Sequence, residues 1–163
     1  MTEADAILFR GYQPEDAAAT REVFHAAVRQ TALSHYTPAQ VQVWAPDEVE
    51  TDRWSRRRAT AWTVVAVDAG DVVGFADLTD AGEMDMLFVH PNYARRGIAT
   101  TLVASIVREA LQRGLPRVDV RASRVLQPLL ERLGFQLDED RPDNRLGDQV
   151  LANATMHFDL KVD

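Results

Sequence analysis

The densest chemistry in the sequence lies between Leu87 and Thr100, which reads Leu-Phe-Val-His-Pro-Asn-Tyr-Ala-Arg-Arg-Gly-Ile-Ala-Thr. An apolar run ends at Val89, a short basic loop follows, and a long helical pattern begins at Ile98. A helix N-terminus presents unpaired N–H groups and a partial positive charge, so a loop that feeds one is a ready anion site. Gly97 lets the backbone approach a phosphate closely, and Arg95 and Arg96 add full charges beside it. Ala99 keeps the first turn small, and Thr100 offers a hydroxyl to the same anion. A pyrophosphate fits this arrangement. For Arg-Arg-Gly alone the alternative is a solvated basic turn between a strand and a helix. Neither G-x-G-x-x-G nor Gly-Lys-Ser/Thr is present, so dinucleotide and ATP readings lose support.

The elements that must position this loop follow from periodicity. Ile7 to Phe9 forms a short strand, and Pro14 opens an amphipathic helix through Ala17, Ala18, Val23, Phe24, Ala27 and Val28. Thr37-Pro38 opens a second helix. Pro46-Asp47-Glu48 opens a third, which carries Trp54 and the basic run Arg56 to Arg58. The β-branched runs Trp62 to Val67 and Val72 to Leu78, separated by Asp68-Ala-Gly-Asp71, predict an antiparallel hairpin with a tight turn. Met84 to Val89 makes the next strand. From Ile98 the apolar residues Leu102, Val103, Ile106, Val107, Ala110 and Leu111 share one broad helical face, and Arg113, Gly114 and Pro116 end it. Val118, Val120 and Ala122 alternate as a strand. Leu126, Leu129, Leu130 and Leu133 have helical spacing, with Pro128 confining the helix start to about Gln127 or making the first turn irregular. Val150 to Leu160 alternates as a half-buried strand, and polar Asp138 to Gln149 reads as its loop.

Composition bounds the rest. The 163 residues, 46% hydrophobic and 26% charged, predict one globular domain spanning 1–163. No stretch approaches the ~20 apolar residues of a membrane span, and MTEADAILFR lacks the regions of a signal peptide, so the expected location is cytoplasmic, with no membrane partner. There is no Cys, and His25, His35, His90 and His157 lack ligand spacing, so no metal is expected. A net charge of -7 argues against nucleic acid as a partner.

The loop Ala94-Arg-Arg-Gly-Ile-Ala99 resembles the coenzyme A pyrophosphate loop of the GNAT superfamily of N-acetyltransferases, Gln/Arg-x-x-Gly-x-Gly/Ala, with Ala94 in place of the usual Gln or Arg. A second segment, Leu129-Leu-Glu-Arg-Leu-Gly-Phe135, is similar to the family's Tyr-Glu-x-x-Gly-Phe ending, with Leu130 in the place of Tyr and Ser123 where Asn is frequent. The order of elements follows the family's layout over almost the whole chain. The resemblance implies an α+β fold of three-layer character. Its central sheet is mixed, mostly antiparallel, splayed between the fourth and fifth strands and flanked by helices.

It also implies acetyl-CoA as co-substrate, with the pantetheine arm bonded to main-chain groups of Leu87, Phe88 and Val89 as if adding a strand. The diphosphate would lie on Arg95, Arg96, Gly97, Ile98, Ala99 and Thr100, with Ser123 and Leu130 completing the cofactor contacts. Direct transfer needs an uncharged amine, a donor for the developing oxyanion and a proton for the departing thiolate. On this resemblance Glu83, alone or with Asp85, is the candidate base, and a main-chain N–H near Phe88 serves the oxyanion. Leu130 is chemically silent, so Ser123, Tyr36 or solvent is the acid, or the thiolate leaves unassisted. The alternatives are solvated carboxylates at Glu83 and Asp85, a core Leu130, and a Ser123 that caps the following helix.

His35, Tyr36, Trp44 and Trp54 are candidates for the wall of an acceptor pocket, or for core. The acceptor is a small-molecule or peptide amine, and the acidic balance would suit a cationic one. A monomer or homodimer is expected. A second reading is an acyl-CoA-binding sensor or subunit without catalysis, favoured by Leu130. A nucleic-acid module, resting on Arg56 to Arg58 and Arg95-Arg96, ranks last.

Overall fold

The computed structural model describes residues 6–47 and 50–160. The order is β1 (Leu8–Gly11), α1 (Ala17–Gln30), α2 (Pro38–Trp44), α3 (Thr51–Thr60), β2 (Trp62–Asp68), β3 (Asp71–Leu78), β4 (Glu83–Met84) and β5 (Leu87–Val89). It continues with α4 (Ile98–Gln112), β6 (Arg117–Ser123), α5 (Gln127–Arg132), β7 (Gln136–Arg141), β8 (Arg145–Leu146), β9 (Gln149–Val150) and β10 (Asn153–Asp159).

Two four-stranded sheets, β1-β2-β3-β5 and β4-β6-β10-β7, meet where β4 gives way to β5. The expected strand Met84 to Val89 is therefore two pieces. Glu83 and Met84 pair in parallel with Asp119 and Val120 of β6, whereas Leu87 to Val89 pair antiparallel with Ala76, Phe75 and Gly74 of β3. Beyond Met84 the chain has changed partners, and this is the splay between the fourth and fifth expected strands. The result is a mixed, mostly antiparallel α+β fold with helices on both faces.

Burial on both faces explains the strong apolar character of the first sheet. Val64 and Ala66 of β2 pack into one core with Leu102, Val103 and Ile106 of α4, while Val65 and Val67 pack into another with Val23, Phe24 and Trp54 of α1 and α3. The β2–β3 hairpin turns through Ala69 and Gly70 at φ 49° and 89°, the left-handed pair of a two-residue turn whose twist matches its strands. Thr37 caps α2 in a reciprocal box with Gln40, and Pro128 occupies the first turn of α5, where a proline removes no internal bond.

Two expectations are corrected. The third helix starts at Thr51 with Glu50 as its cap residue, not at Pro46-Asp47; Glu48 lies outside the described residues. The segment Asp138 to Gln149 is not a simple loop. Gln136–Arg141 forms β7 along β10, and β8 and β9 make a small hairpin. β7 is an edge strand with nearly every residue exposed, so no alternation marks it, and its charges discourage further pairing.

Candidate active site

Gly97 is the cap residue of α4 at φ 78°, in the left-handed region that favours glycine, and no side chain caps the helix. The first bond of the helix runs from the Thr101 N–H to the Gly97 carbonyl at 3.1 Å, so the N–H groups of Ile98, Ala99 and Thr100 lie ahead of the ladder. Arg95 is also left-handed, at φ 64°, and backbone of this kind forms anion-binding nests. A Cβ added at Gly97 would meet nothing within 4 Å, so the space over the turn is open. Donors, dipole and room together fit a diphosphate.

That turn closes one end of a cavity of about 620 Å³. Arg95, Gly97, Ile98, Ala99 and Thr100 line the end; Leu87, Phe88 and Val89 line one side; Ser123, Leu126 and Leu129 line the other. The Asp77 N–H donates to Met86 and the His90 N–H to Val73, at 3.1 and 2.8 Å, bracketing the β3–β5 ladder. Residues 86, 88 and 90 thus bond toward β3, and by alternation Leu87 and Val89 direct their main-chain groups into the splay. The groups free to meet an extended pantetheine arm or an oxyanion are those flanking Phe88.

A second cavity, of about 700 Å³, lies on the other side of the β4–β5 break. Its walls include Phe24, Tyr36, Trp44 and Trp54, the break residues Met84 to Phe88, and Arg53, Arg57, Arg121 and Arg145. Trp44, Leu87, Phe88, Ser123 and Leu126 belong to both cavities, so the two spaces adjoin there.

What holds the break is a buried ion pair absent from the sequence reading. Arg58 Nη1 donates to Asp77 Oδ2 at 2.6 Å, with both side chains 1% exposed. The other oxygen, Oδ1, accepts the main-chain N–H groups of Asp85 and Met86 at 3.1 and 2.9 Å. Arg58 is in turn clasped by the Trp54 and Phe75 rings, 4.9 and 5.7 Å from its guanidinium carbon. Burial pushes the Asp77 carboxyl up and the Arg58 guanidinium down, and their mutual attraction works against both shifts. Nineteen positions separate the partners, so only the fold reveals them.

Of the expected catalytic residues, Asp85 lines the second cavity, with Oδ2 3.1 Å from Arg57 Nη2. Glu83 is not among the residues lining either cavity, and its carboxylate lies 3.8 Å from Arg121. Ser123 lines both cavities and its Oγ also accepts the Leu126 N–H at 3.3 Å, so capping and cavity contact coexist. Tyr36 is in the wall, but its hydroxyl donates to the Ala152 carbonyl at 2.6 Å and accepts the Arg124 N–H at 2.9 Å. Burial pushes its phenol up. Trp44 lies in both walls, whereas His35 is exposed, with Nδ1 2.8 Å from Ser34 Oγ, and is in neither.

Among the cofactor candidates Arg96 stands outside the cavity wall, its guanidinium 4.8 Å from the Tyr93 ring. Of the two readings of Leu130 the core one fits, since it is fully buried and outside the cavity lining, which Leu126 and Leu129 supply instead. On a six-residue helix only some of the leucines can face the splay. Among the described residues no group of acidic, His or Cys side chains is placed to hold a metal, and no helix is long and apolar enough to cross a membrane.

The sequence and the fold are similar to those of known proteins. A family model described as an acetyltransferase (GNAT) domain matches residues 32–147. The uncharacterized N-acetyltransferase YafP of Escherichia coli strain K12 is 35% identical over 130 residues, covering 80% of this chain and 81% of YafP. The crystal structure of a GCN5-related N-acetyltransferase from Rhodopseudomonas palustris superposes with a TM-score of 0.90 at 30% identity, covering 98% of this chain and 99% of the other. PaiA N-acetyltransferase from Thermoplasma acidophilum, solved in complex with coenzyme A, has the same fold, with a TM-score of 0.78 at 17% identity and coverage of 95% and 99%. The chain belongs to the GNAT acetyltransferase family and is an acyltransferase.

Proposed function

We propose that this protein moves the acetyl group of acetyl-CoA directly onto a primary amine, with the cofactor in the cavity that ends at Gly97 and the acceptor in the cavity walled by Tyr36, Trp44 and Asp85. The observation that carries this reading is the shared wall at Trp44, Leu87, Phe88, Ser123 and Leu126, which lets two substrates meet end to end.

In the transfer, the amine nitrogen bonds to the thioester carbonyl carbon and the C–S bond breaks. One proton leaves nitrogen and one is taken up by the departing thiolate. The N–H of Leu87 or Val89 serves the carbonyl oxygen as it gains charge. Asp85 takes the amine proton, directly or through water, because it is the β4–β5 carboxylate in the acceptor wall. Glu83, outside that wall, acts only through intervening water. Ser123 or solvent protonates the thiolate, since the Tyr36 hydroxyl is already committed to the Ala152 carbonyl.

Amine-dependent release of free thiol from acetyl-CoA tests the reading, together with calorimetric binding of coenzyme A to the wild type and to Gly97→Glu. The variant puts a carboxylate over the turn and is expected to abolish affinity while leaving the fold intact. Unchanged affinity refutes the assignment of the cavity. A second reading, a non-catalytic acyl-CoA sensor, draws on the burial of Leu130, which leaves no proton donor at the place of the family's tyrosine. Tight cofactor binding with no turnover on any acceptor would support it.

A further inference from the structure

The acceptor cavity runs against the charge of the molecule. The chain carries a net charge of -7, yet among the described residues Arg53, Arg57, Arg121 and Arg145 line this cavity against Asp85 and Glu50, four positive groups to two negative. One helix face would not be remarkable, but these arginines arrive from three elements. Arg53 and Arg57 stand one turn apart on α3, Arg121 lies on β6, and Arg145 lies on the β8–β9 hairpin. Arg57 is paired with Asp85 at 3.1 Å and Arg121 only loosely with Glu83 at 3.8 Å. Among the described residues neither Arg53 nor Arg145 has a carboxylate partner.

We infer that the acceptor is an amine that also bears a carboxylate, held by this arginine cluster while its amine points at Ser123 and its apolar body rests on the aromatic wall. This rests on the acetyl-transfer reading above and names the substrate class. A second positive charge on the acceptor would sit among guanidinium groups and be repelled, so a polyamine or aminoglycoside is disfavoured. A carboxylate instead meets planar, weakly hydrated donors of matching geometry. Arg121 and Ser123 lie two residues apart on β6 and project to the same side, roughly 7 Å apart along the strand, which sets the carboxylate within a few bonds of the amine. Acidic composition alone would favour a cationic amine; the local walls reverse that expectation.

The test compares L-phenylalanine, L-phenylalaninamide, phenethylamine and the phosphonate analogue of phenylalanine by kcat/KM with saturating acetyl-CoA. Binding of N-acetyl-L-phenylalanine and N-acetyl-L-phenylalaninamide is measured by calorimetry, with and without coenzyme A. The carboxylate member of each pair is expected to lead by about tenfold, one charge-assisted bidentate contact. In Arg121→Gln and Arg145→Gln the ratio of carboxylate to carboxamide should fall toward one. Equal or better performance by the amide or phenethylamine, or no detectable binding of N-acetyl-L-phenylalanine at millimolar concentration, overturns the inference. A phosphonate preferred more than tenfold overturns the carboxylate in favour of a phosphate. Loss of coenzyme A binding with the carboxylate preference kept in the product titration would instead sink the acetyl-transfer reading alone.

Discussion

Adjacent residues of α3, Arg57 and Arg58, each reach a carboxylate, Arg58 that of Asp77 on β3 and Arg57 that of Asp85 in the β4–β5 break, and the two pairs differ most in solvent exposure. Arg58 and Asp77 are both 1% exposed, while Arg57 and Asp85 are 52% and 33% exposed. Desolvation makes the inner pair an all-or-nothing arrangement: neither partner tolerates the loss of the other, and the second oxygen of the same carboxylate, Oδ1, accepts the N–H groups of the break. The outer pair is screened, weak and exchangeable, which suits the proton-handling role proposed for Asp85. One turn of helix thus supplies both a fixed clamp and a labile contact.

The largest test of this contrast is Asp77→Asn, which leaves Arg58 buried without a counter-charge. It should cost about 3–5 kcal/mol in urea unfolding, and Arg58→Met combined with Asp77→Leu should recover only the part due to the unpaired charge, since Leu leaves the Asp85 and Met86 N–H groups without their acceptor. A loss below about 1 kcal/mol would place the inner pair with the outer one. Asp85→Asn should lower kcat about a hundredfold, with a stability change under about 1 kcal/mol, separating chemistry from folding in a way that Asp77 cannot.

A third pair sharpens the series. Asp16 accepts from Arg10 at 2.7 and 3.0 Å and from the Gln13 N–H at 2.8 Å, with side chains 33% and 8% exposed for Arg10 and Asp16. The Arg10 guanidinium holds the Asp16 carboxyl below its ordinary value of 3.8, against the opposing effect of burial. Its contribution is therefore present above that value and lost as pH falls from it through the folded-state value. Asp16→Asn should cost about 1 kcal/mol at pH 7, and its melting temperature should begin to approach that of the wild type only as pH falls below about 4. Smallest of all, Arg57→Gln should move the unfolding midpoint by less than its error, since exposed pairs contribute about 0–1 kcal/mol.

Local signals in the sequence reached as far as local physics does. The hairpin at Asp68 to Asp71, the face of α4 and the turn at Gly97 were legible because each is specified by residues within a few positions of one another. The break at Asp85-Met86 was not, since it depends on a carboxylate at Asp77 and a guanidinium at Arg58 that meet only in the fold. β7 passed for loop because Gln136 to Arg141 buries no continuous face. For Leu130 the motif suggests a cofactor contact and the leucine spacing suggests core; helix phase decides for the core and gives the cavity to Leu129. His35 drew attention by type alone, and exposure removes it from both walls.

Trp44 lies in the wall common to both cavities, stacked edge-on against Tyr36 and Phe88 at 5.5 and 6.2 Å, while the buried Trp54 lines only the second cavity. An indole so placed changes its polarity and its quenching neighbours when either space fills. The molecule therefore carries its own optical gauge: with Trp54→Phe and Trp62→Phe isolating it, emission from Trp44 should change when either space fills, without any dye attached.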